Sequence, residues 1–306
     1  MDTIANALVP LVILLAAGQG LRRSGFVEPG FWSSAEKLAY YLLMPLLLVR
    51  TIGRSDVDGM GWIGMVGAVY GAILSAAAAL VVLHLIRGRP QPRTFTSVFQ
   101  GGVRYNAYIA LALAESLYGT EGIAIGALIS GFMIIIINIL CVTVLSLCAS
   151  GGRVSTFSVI GDLAKNPLIL GCIGGGLLNV SNIPLPVWAD DSLAMIGRMA
   201  LPIALLCIGA SLDLSRLKGD VGASLIASVA QFGLKPIVAW AFCLWLGLPA
   251  MSTAVVVLFL AVPTAPSAYI LARRMGGDHE AMASIIAFQT VAGFATMPLT
   301  MLALGV

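Results

Sequence analysis

The chain has 306 residues, of which 59% are hydrophobic and only 10% are charged, and its mean hydropathy is +0.99. This composition leaves too little polar surface for a soluble domain of that length, so we expect a membrane protein. The formal net charge of +3 does not indicate a nucleic-acid partner, because basic residues in a membrane protein report on its topology.

Apolar stretches fill almost the whole chain. A bilayer core of about 30 Å requires roughly 20 apolar residues in a helix. Ten such helices are predicted, near residues 3–21, 34–51, 62–87, 94–117, 121–148, 158–181, 188–212, 220–246, 252–274 and 280–304. The sequence therefore predicts an all-α polytopic membrane protein whose lipid partner is the bilayer itself, with no room for a soluble domain.

The basic residues are distributed unevenly between successive connections. Twelve of the 17 Lys and Arg residues fall in odd-numbered connections, whereas only Arg50 and Arg54 fall in even-numbered ones. Cytoplasmic loops carry the excess of basic residues. The odd connections are therefore predicted to be cytoplasmic and both termini periplasmic or extracellular, and the short loops are typical of a bacterial inner membrane protein.

The same landmarks recur in the two halves of the chain, in the same order and about 157 to 161 residues apart. The pairs are Pro10 with Pro167, Pro45 with Pro202, and Asn106 with Ser267. They predict two five-helix repeats, residues 1–150 and 151–306. Because five crossings invert the second repeat relative to the first, the pattern is typical of transporters that bind substrate near the midplane.

Spans four and nine are predicted to be interrupted helices. Span nine contains Pro263 and Pro266, each of which removes a backbone donor and clashes with the preceding turn. Span four contains Gly101 and Gly102 at the matching depth, and paired glycines permit unwinding. Irregular backbone at this depth is tolerated only against protein or a water-filled cavity. Mild kinks in two packing helices are the alternative interpretation.

Arg104 is the sharpest chemical signal. It lies roughly ten residues into span four, beside the predicted break. A basic residue at the centre of a membrane helix costs about 2.5–3.5 kcal/mol on insertion scales, so it usually faces a cavity or a partner. All fourteen acidic residues map to loops or span ends. An unpaired guanidinium there is suited to a carboxylate, and snorkelling or binding of backbone carbonyls is the alternative.

Four further polar residues lie near mid-depth. Lys235 in span eight precedes Pro236 and is a candidate either for coupling or for binding a carbonyl freed by the kink. Gln289 and Thr290 in span ten and Asn138 in span five are candidates for ion coordination or for interhelical hydrogen bonds.

The sequence lacks the spacings typical of metal sites and enzymes. The five cysteines fall inside or at the ends of apolar spans without paired metal-ligand spacing. Motifs such as His-Glu-x-x-His and Gly-x-Ser-x-Gly are absent. We expect no metal, no cofactor and no catalytic activity.

Three stretches are the most specific motifs. They are Lys165-Asn166-Pro167-Leu168-Ile169; Leu201-Pro202-Ile203-Ala204-Leu205-Leu206 followed by Gly209-Ala210-Ser211-Leu212; and Pro263-Thr264-Ala265-Pro266-Ser267-Ala268-Tyr269-Ile270-Leu271-Ala272-Arg273. With them the chain resembles the auxin efflux carrier family of secondary transporters along essentially its whole length. The resemblance implies the fold of sodium/bile-acid symporters, in which helices four and nine cross as broken helices at the site.

The same resemblance implies how the helices are divided and which residues form the site. Helices 1, 2, 6 and 7 would form a scaffold, which is also the surface for a homodimer where one forms, and helices 3–5 and 8–10 a moving transport domain. Asn106 takes the position of the family's helix-four asparagine, whereas Ser267 stands where the helix-nine motif usually has an asparagine. The stretch from Phe99 to Ile109 is most similar to a malonate-type bacterial branch.

The sequence therefore predicts a secondary active transporter of small organic anions, either mono- or dicarboxylates such as malonate or auxin-like acids, that works by alternating access. The predicted substrate-binding residues are Arg104, Asn106, Tyr108, Thr264, Ser267 and Tyr269. A sodium-coupled symporter of the bile-acid type, with a cation cage from Gln289 and Thr290, and a passive anion channel are the alternatives. The coupling ion stays open, because the sequence predicts no carboxylate near the centre of a span, and a carboxylate there is the usual proton carrier in membranes.

Overall fold

The computed structural model describes residues 2–56, 58–88, 91–149, 161, 163–181 and 183–305. Over these residues the chain is helical and has no β-strand. The α-helices are α1 (Asp2–Ser24), α2 (Pro29–Leu38), α3 (Met44–Gly53), α4 (Trp62–Ile86), α5 (Pro92–Val103), α6 (Ala107–Cys148), α7 (Pro167–Ser181), α8 (Val187–Ser211), α9 (Val221–Ser228), α10 (Lys235–Trp245), α11 (Ala250–Ala261), α12 (Ser267–Arg274) and α13 (His279–Leu304).

Helical residues occur in each of the ten predicted spans. The part of span six before residue 161, and the predicted boundary between the repeats at 150 and 151, lie outside the described residues. Among the described residues, six helical stretches are long and apolar enough to cross a membrane, and α7 and α11 are shorter apolar helices. Within α6, Gly119 has non-helical angles (φ 61°, ψ −145°) where predicted spans four and five meet. Ten crossings and the inverted repeat stay predictions.

In the described part of the chain, two pairs of successive helices are joined by a π-helical turn just before a proline. The turns are Ala39–Leu43, between α2 and α3, and Val229–Leu234, between α9 and α10. Pro45 and Pro236 each occupy the second position of the α-helix that follows. Proline has no N–H to donate and its ring clashes with the carbonyl four residues earlier. The wider π turn accommodates that clash while the helix continues.

The chain divides into two compact units, each made of three segments. The first unit contains residues 1–60, 108–131 and 162–212, and the second contains residues 61–107, 132–161 and 213–306. The division into scaffold and transport helices stays a prediction.

The first unit is held together by close approaches between helix backbones. Helix α1 packs against α8, and α3 packs against both α7 and α8. A Cβ atom on Gly18 would lie 2.0 Å from the carbonyl oxygen of Leu206, and one on Gly209 would lie 2.0 Å from that of Leu15. Small residues allow such contact, which is how membrane helices associate when lipid removes most of the hydrophobic driving force.

A buried acidic residue in the first unit is paired with two arginines. Asp190, which is 6% exposed, accepts hydrogen bonds from Nε and Nη2 of Arg50, each at 3.1 Å. Arg54 Nε lies 2.7 Å from the same carboxylate. Arg50 and Asp190 lie 140 residues apart in the sequence, so the ion pair was not predicted. It follows from the packing of α3 on α8.

The second unit encloses the two short helices α5 and α11. Helix α5 packs against α4, α9 and α13, and α11 packs against α10 and α13. Every residue of α5 from Phe95 to Val103 is buried, as is every residue of α11 from Ser252 to Ala261. The two helices that end at the predicted breaks are therefore shielded by protein on all sides.

We predict that Gly18→Ala destabilises the protein, whereas Gly20→Ala in the same helix does not. The added methyl at position 18 would overlap the Leu206 carbonyl, whereas nothing lies within 4 Å of the corresponding position on Gly20. Overpacking of this kind costs roughly 1–3 kcal/mol. Thermal unfolding of the purified variants in detergent measures the difference, and equal midpoints for the two variants would contradict the observed helix contact.

Candidate functional site

The first helix break lies between α5 and α6. Helix α5 ends at Val103, residues 104–106 are not helical, and Arg104 is extended (φ −72°, ψ 161°). Gly101 and Gly102 are still helical, so the break begins after the glycine pair. A Cβ on Gly101 would lie 2.6 Å from Ile285 Cγ2, and one on Gly102 would lie 2.6 Å from Leu80 Cδ1. In this structure the two glycines provide room for α5 among its neighbours, and the chain unwinds after them.

The second break lies between α11 and α12 and has the same local geometry. Helix α11 ends at Ala261, and the next residue, Val262, is extended (φ −75°, ψ 155°). The chain re-enters a helix at Ser267, after Pro263 and Pro266. The main-chain N–H of Asn106 donates a hydrogen bond of 2.8 Å to the carbonyl oxygen of Pro263. The two breaks, 157 residues apart, are therefore joined directly through their backbones.

Gln289 of α13 bridges the same two breaks through its side chain. Its Oε1 accepts a hydrogen bond of 3.0 Å from the main-chain N–H of Thr264, and its Nε2 donates one of 2.9 Å to the Gly101 carbonyl. The side chain is completely buried. One amide thus satisfies a free acceptor at the end of α5 and a free donor in the second break.

Gln231 and Lys235, one helical turn apart before and at the start of α10, satisfy the carbonyls at both helix ends. Gln231 Nε2 donates to the Val262 carbonyl, and its Oε1 accepts from Lys235 Nζ at 2.7 Å. Lys235 Nζ also donates to the carbonyls of Val103 at 3.2 Å and Arg104 at 3.4 Å. Sequence reasoning missed Gln231, although a Gln and a Lys at positions i and i+4 in an apolar span share one helix face.

Arg104 is half-buried at the first break, and its guanidinium is only partly engaged. Nη2 donates a hydrogen bond of 3.3 Å to Oδ1 of Asn138. Nη1 is buried and has no oxygen acceptor among the residues that the structure describes, although the guanidinium also lies beside the buried thiol of Cys141, a weak acceptor. No ion pair of the described part of the chain includes Arg104. A buried, charged donor without an oxygen acceptor is costly, so this group is suited to an anion.

Other predicted site residues lie at or near the second break. Thr264 is fully buried, and among the described residues its hydroxyl has no hydrogen-bond partner. Ser267 is exposed at the first turn of α12. The ring of Tyr269 meets the ring of His279 edge to face, with centroids 5.7 Å apart.

Two predicted residues are not brought to the breaks by any of these contacts. The hydroxyl of Thr290 donates a hydrogen bond of 2.7 Å to the Ile286 carbonyl of its own helix. Tyr108 is half-buried and belongs to the first unit, whereas all the groups that join the breaks belong to the second.

We predict that Gln289→Leu lowers the thermal stability far more than Thr290→Val. The first change leaves a buried carbonyl and a buried N–H unsatisfied, at a cost of about 1–3 kcal/mol each. The second removes only a hydroxyl whose acceptor, Ile286 O, lies within an unbroken helix. Unfolding midpoints of the two purified variants compare the effects, and an equal loss of stability would exclude the bridging role of Gln289.

Part of the chain is similar to a known protein family. Residues 151–302 match the model of a family described as membrane transport protein. No curated protein matches the chain. The match covers the second break together with Gln231, Lys235 and Gln289, whereas the first break lies outside it. The match and the six apolar helices together indicate an integral membrane protein, and the matched family suggests a membrane transporter.

Proposed function

We propose that the protein is a secondary active transporter of small organic anions, mono- or dicarboxylates such as malonate, and that it works by alternating access. The site is the part of the second unit where the two breaks meet. Arg104 supplies the positive charge, and Asn106 and Ser267 supply hydrogen bonds from the two breaks. The bacterial inner membrane, with both termini periplasmic, is the proposed location.

The buried Nη1 of Arg104 is the observation that carries this proposal. The pairing of a guanidinium with a carboxylate forms short, charge-assisted hydrogen bonds, often two in parallel. Asn138 holds Nη2 and thereby fixes the orientation of the planar group. A carboxylate that accepts from Nη1 would supply the oxygen acceptor that the described residues do not.

The helix ends at the breaks support the same charge preference. The C-terminal end of a helix carries partial negative charge, and the N-terminal end carries partial positive charge. The carbonyls at the ends of α5 and α11 already accept hydrogen bonds from Lys235, Gln231 and Gln289. These donors offset part of the negative charge at the ends of α5 and α11, so the positive ends of the helices that follow and Arg104 favour an anion.

The contacts of span ten do not favour the sodium-coupled alternative. That alternative requires a cation cage built from groups such as Gln289 and Thr290. Gln289 Oε1 already accepts from the Thr264 N–H, and the Thr290 hydroxyl is directed to a carbonyl of its own helix. Both side chains are therefore hydrogen-bonded to backbone groups at different places and do not converge on one cation site.

We predict that Arg104→Ala weakens malonate transport by about 10- to 100-fold in apparent affinity. One charge-assisted hydrogen bond contributes roughly 1.5–3 kcal/mol, and 1.4 kcal/mol corresponds to a factor of ten. Arg104→Lys keeps the charge but loses the planar fork, so its affinity should fall between those of Arg104→Ala and the wild type. Saturable uptake of labelled malonate into proteoliposomes, with unlabelled carboxylates and auxin-like acids as competitors, gives the affinities.

Arg23→Ala is the matched control, because Arg23 is an exposed arginine in the last turn of α1. Its transport should equal that of the wild type. Equal transport by Arg104→Ala and Arg23→Ala would exclude Arg104 from the site. A flux that rises linearly with malonate concentration and shows no counterflow would indicate that the protein is a channel and not a carrier.

A further inference from the structure

Lys235 is a basic residue buried beside the end of helix α5. The residue lies within the apolar stretch Val221–Trp245, and none of its surface is exposed. Among the described residues it takes part in no ion pair with an Asp or Glu. A buried charge needs compensation, and here the compensation comes from oxygen dipoles.

The three hydrogen bonds of Lys235 indicate an ammonium ion. Its Nζ donates to the carbonyls of Val103 and Arg104 and to Oε1 of Gln231, at 3.2, 3.4 and 2.7 Å. An ammonium group has three N–H donors and no acceptor. A neutral amine has only two donors, which would leave one of these oxygens unsatisfied.

These oxygens are the kind of ligands that bind a free cation in other broken-helix transporters. Unwound backbone carbonyls and the C-terminal ends of half-helices coordinate the coupling Na⁺ in such proteins. Val103 is the last residue of α5, and Arg104 is the first residue of the break. The two carbonyls therefore lie at the C-terminal end of α5, where the partial negative charge of the helix is concentrated.

We propose that Lys235 is a built-in cation: its ammonium group occupies a monovalent-cation site formed by the Val103, Arg104 and Gln231 oxygens, and it removes the need for Na⁺ there. As a consequence that rests on the proposed function, transport requires no sodium. Gln231 completes the arrangement, because its Oε1 binds the ammonium while its Nε2 binds the Val262 carbonyl of the other break.

Lys235→Ala tests the proposal by emptying the site while leaving its oxygen ligands. The variant should unfold at a temperature lower by on the order of 5 °C, since the buried carbonyls lose their donor. Ethylammonium or Na⁺, but not the larger choline at the same ionic strength, should raise the midpoint of this variant. Neither ion should raise the midpoint of the wild type or of Lys218→Ala, which removes an exposed lysine.

Several outcomes would overturn the proposal. One is a Lys235→Ala protein as stable as the wild type, and another is an equal response of both proteins to ethylammonium and choline. If neither Lys235→Ala nor Lys235→Gln folds, the unfolding midpoint of the wild type is compared in Na⁺ and in choline. A higher midpoint in Na⁺ would show a cation site that Lys235 does not fill and would overturn the proposal.

Uptake by the wild type separates this inference from the proposed function. Malonate uptake that is equal in sodium and in choline supports both proposals, whereas uptake that needs sodium overturns the built-in cation alone. If the wild type takes up no carboxylate, the proposed substrate is wrong, and the unfolding midpoints still decide the role of Lys235.

Discussion

Two interrupted helices can be buried only if the backbone groups that each interruption frees are satisfied by the protein. Each unsatisfied group in hydrocarbon costs several kcal/mol. Among the described residues, groups of this kind are satisfied by the backbone hydrogen bond from Asn106 to Pro263 and by the side chains of Gln289, Gln231 and Lys235. The rest of the second unit follows from this constraint, because these side chains must be held at the breaks by α9, α10 and α13.

The two basic residues at the breaks, the half-buried Arg104 and the fully buried Lys235, have different environments. Lys235 has as many oxygen acceptors as donors, and all of them belong to the protein. Arg104 donates a hydrogen bond from Nη2 to Asn138, whereas its Nη1 is buried and has no oxygen acceptor among the described residues. The lysine nitrogen is fully bonded to protein oxygens, whereas the arginine has no counterion in the part of the chain that the structure describes. This difference is the physical basis for the proposal that Arg104, and not Lys235, supplies the side-chain charge that attracts the substrate.

The positions of the helices and breaks could be predicted from the sequence because they depend on local chemistry. The length of the apolar stretches predicts the helices. Prolines such as Pro263 and Pro266 interrupt a helix because each removes a backbone donor and clashes with the preceding turn. The role of Gly101 and Gly102 was less accessible, because their contacts with Leu80 and Ile285 depend on packing. The match of residues 151–302 agrees with the transporter class inferred from these patterns.

Contacts between distant residues were the part that the sequence did not reveal. Gln231 looked like any polar residue in an apolar span, since its acceptor at Val262 is 31 residues away. Asp190 likewise has the sequence context of a residue at the end of a span. Its pairing with Arg50 depends on the packing of α3 on α8. A single sequence reports which groups need partners, but the choice of partner depends on tertiary packing.

The network at the breaks bears on how a carrier of this kind can move. A transporter that alternates between two states must not expose unsatisfied backbone in either of them, because the cost would add to the barrier of every cycle. Gly101, Val103, Val262 and Thr264, and the three side chains that bind them, all belong to the second unit. Displacement of that unit as a rigid body breaks none of these hydrogen bonds, so the proposed alternating access adds no cost at the breaks.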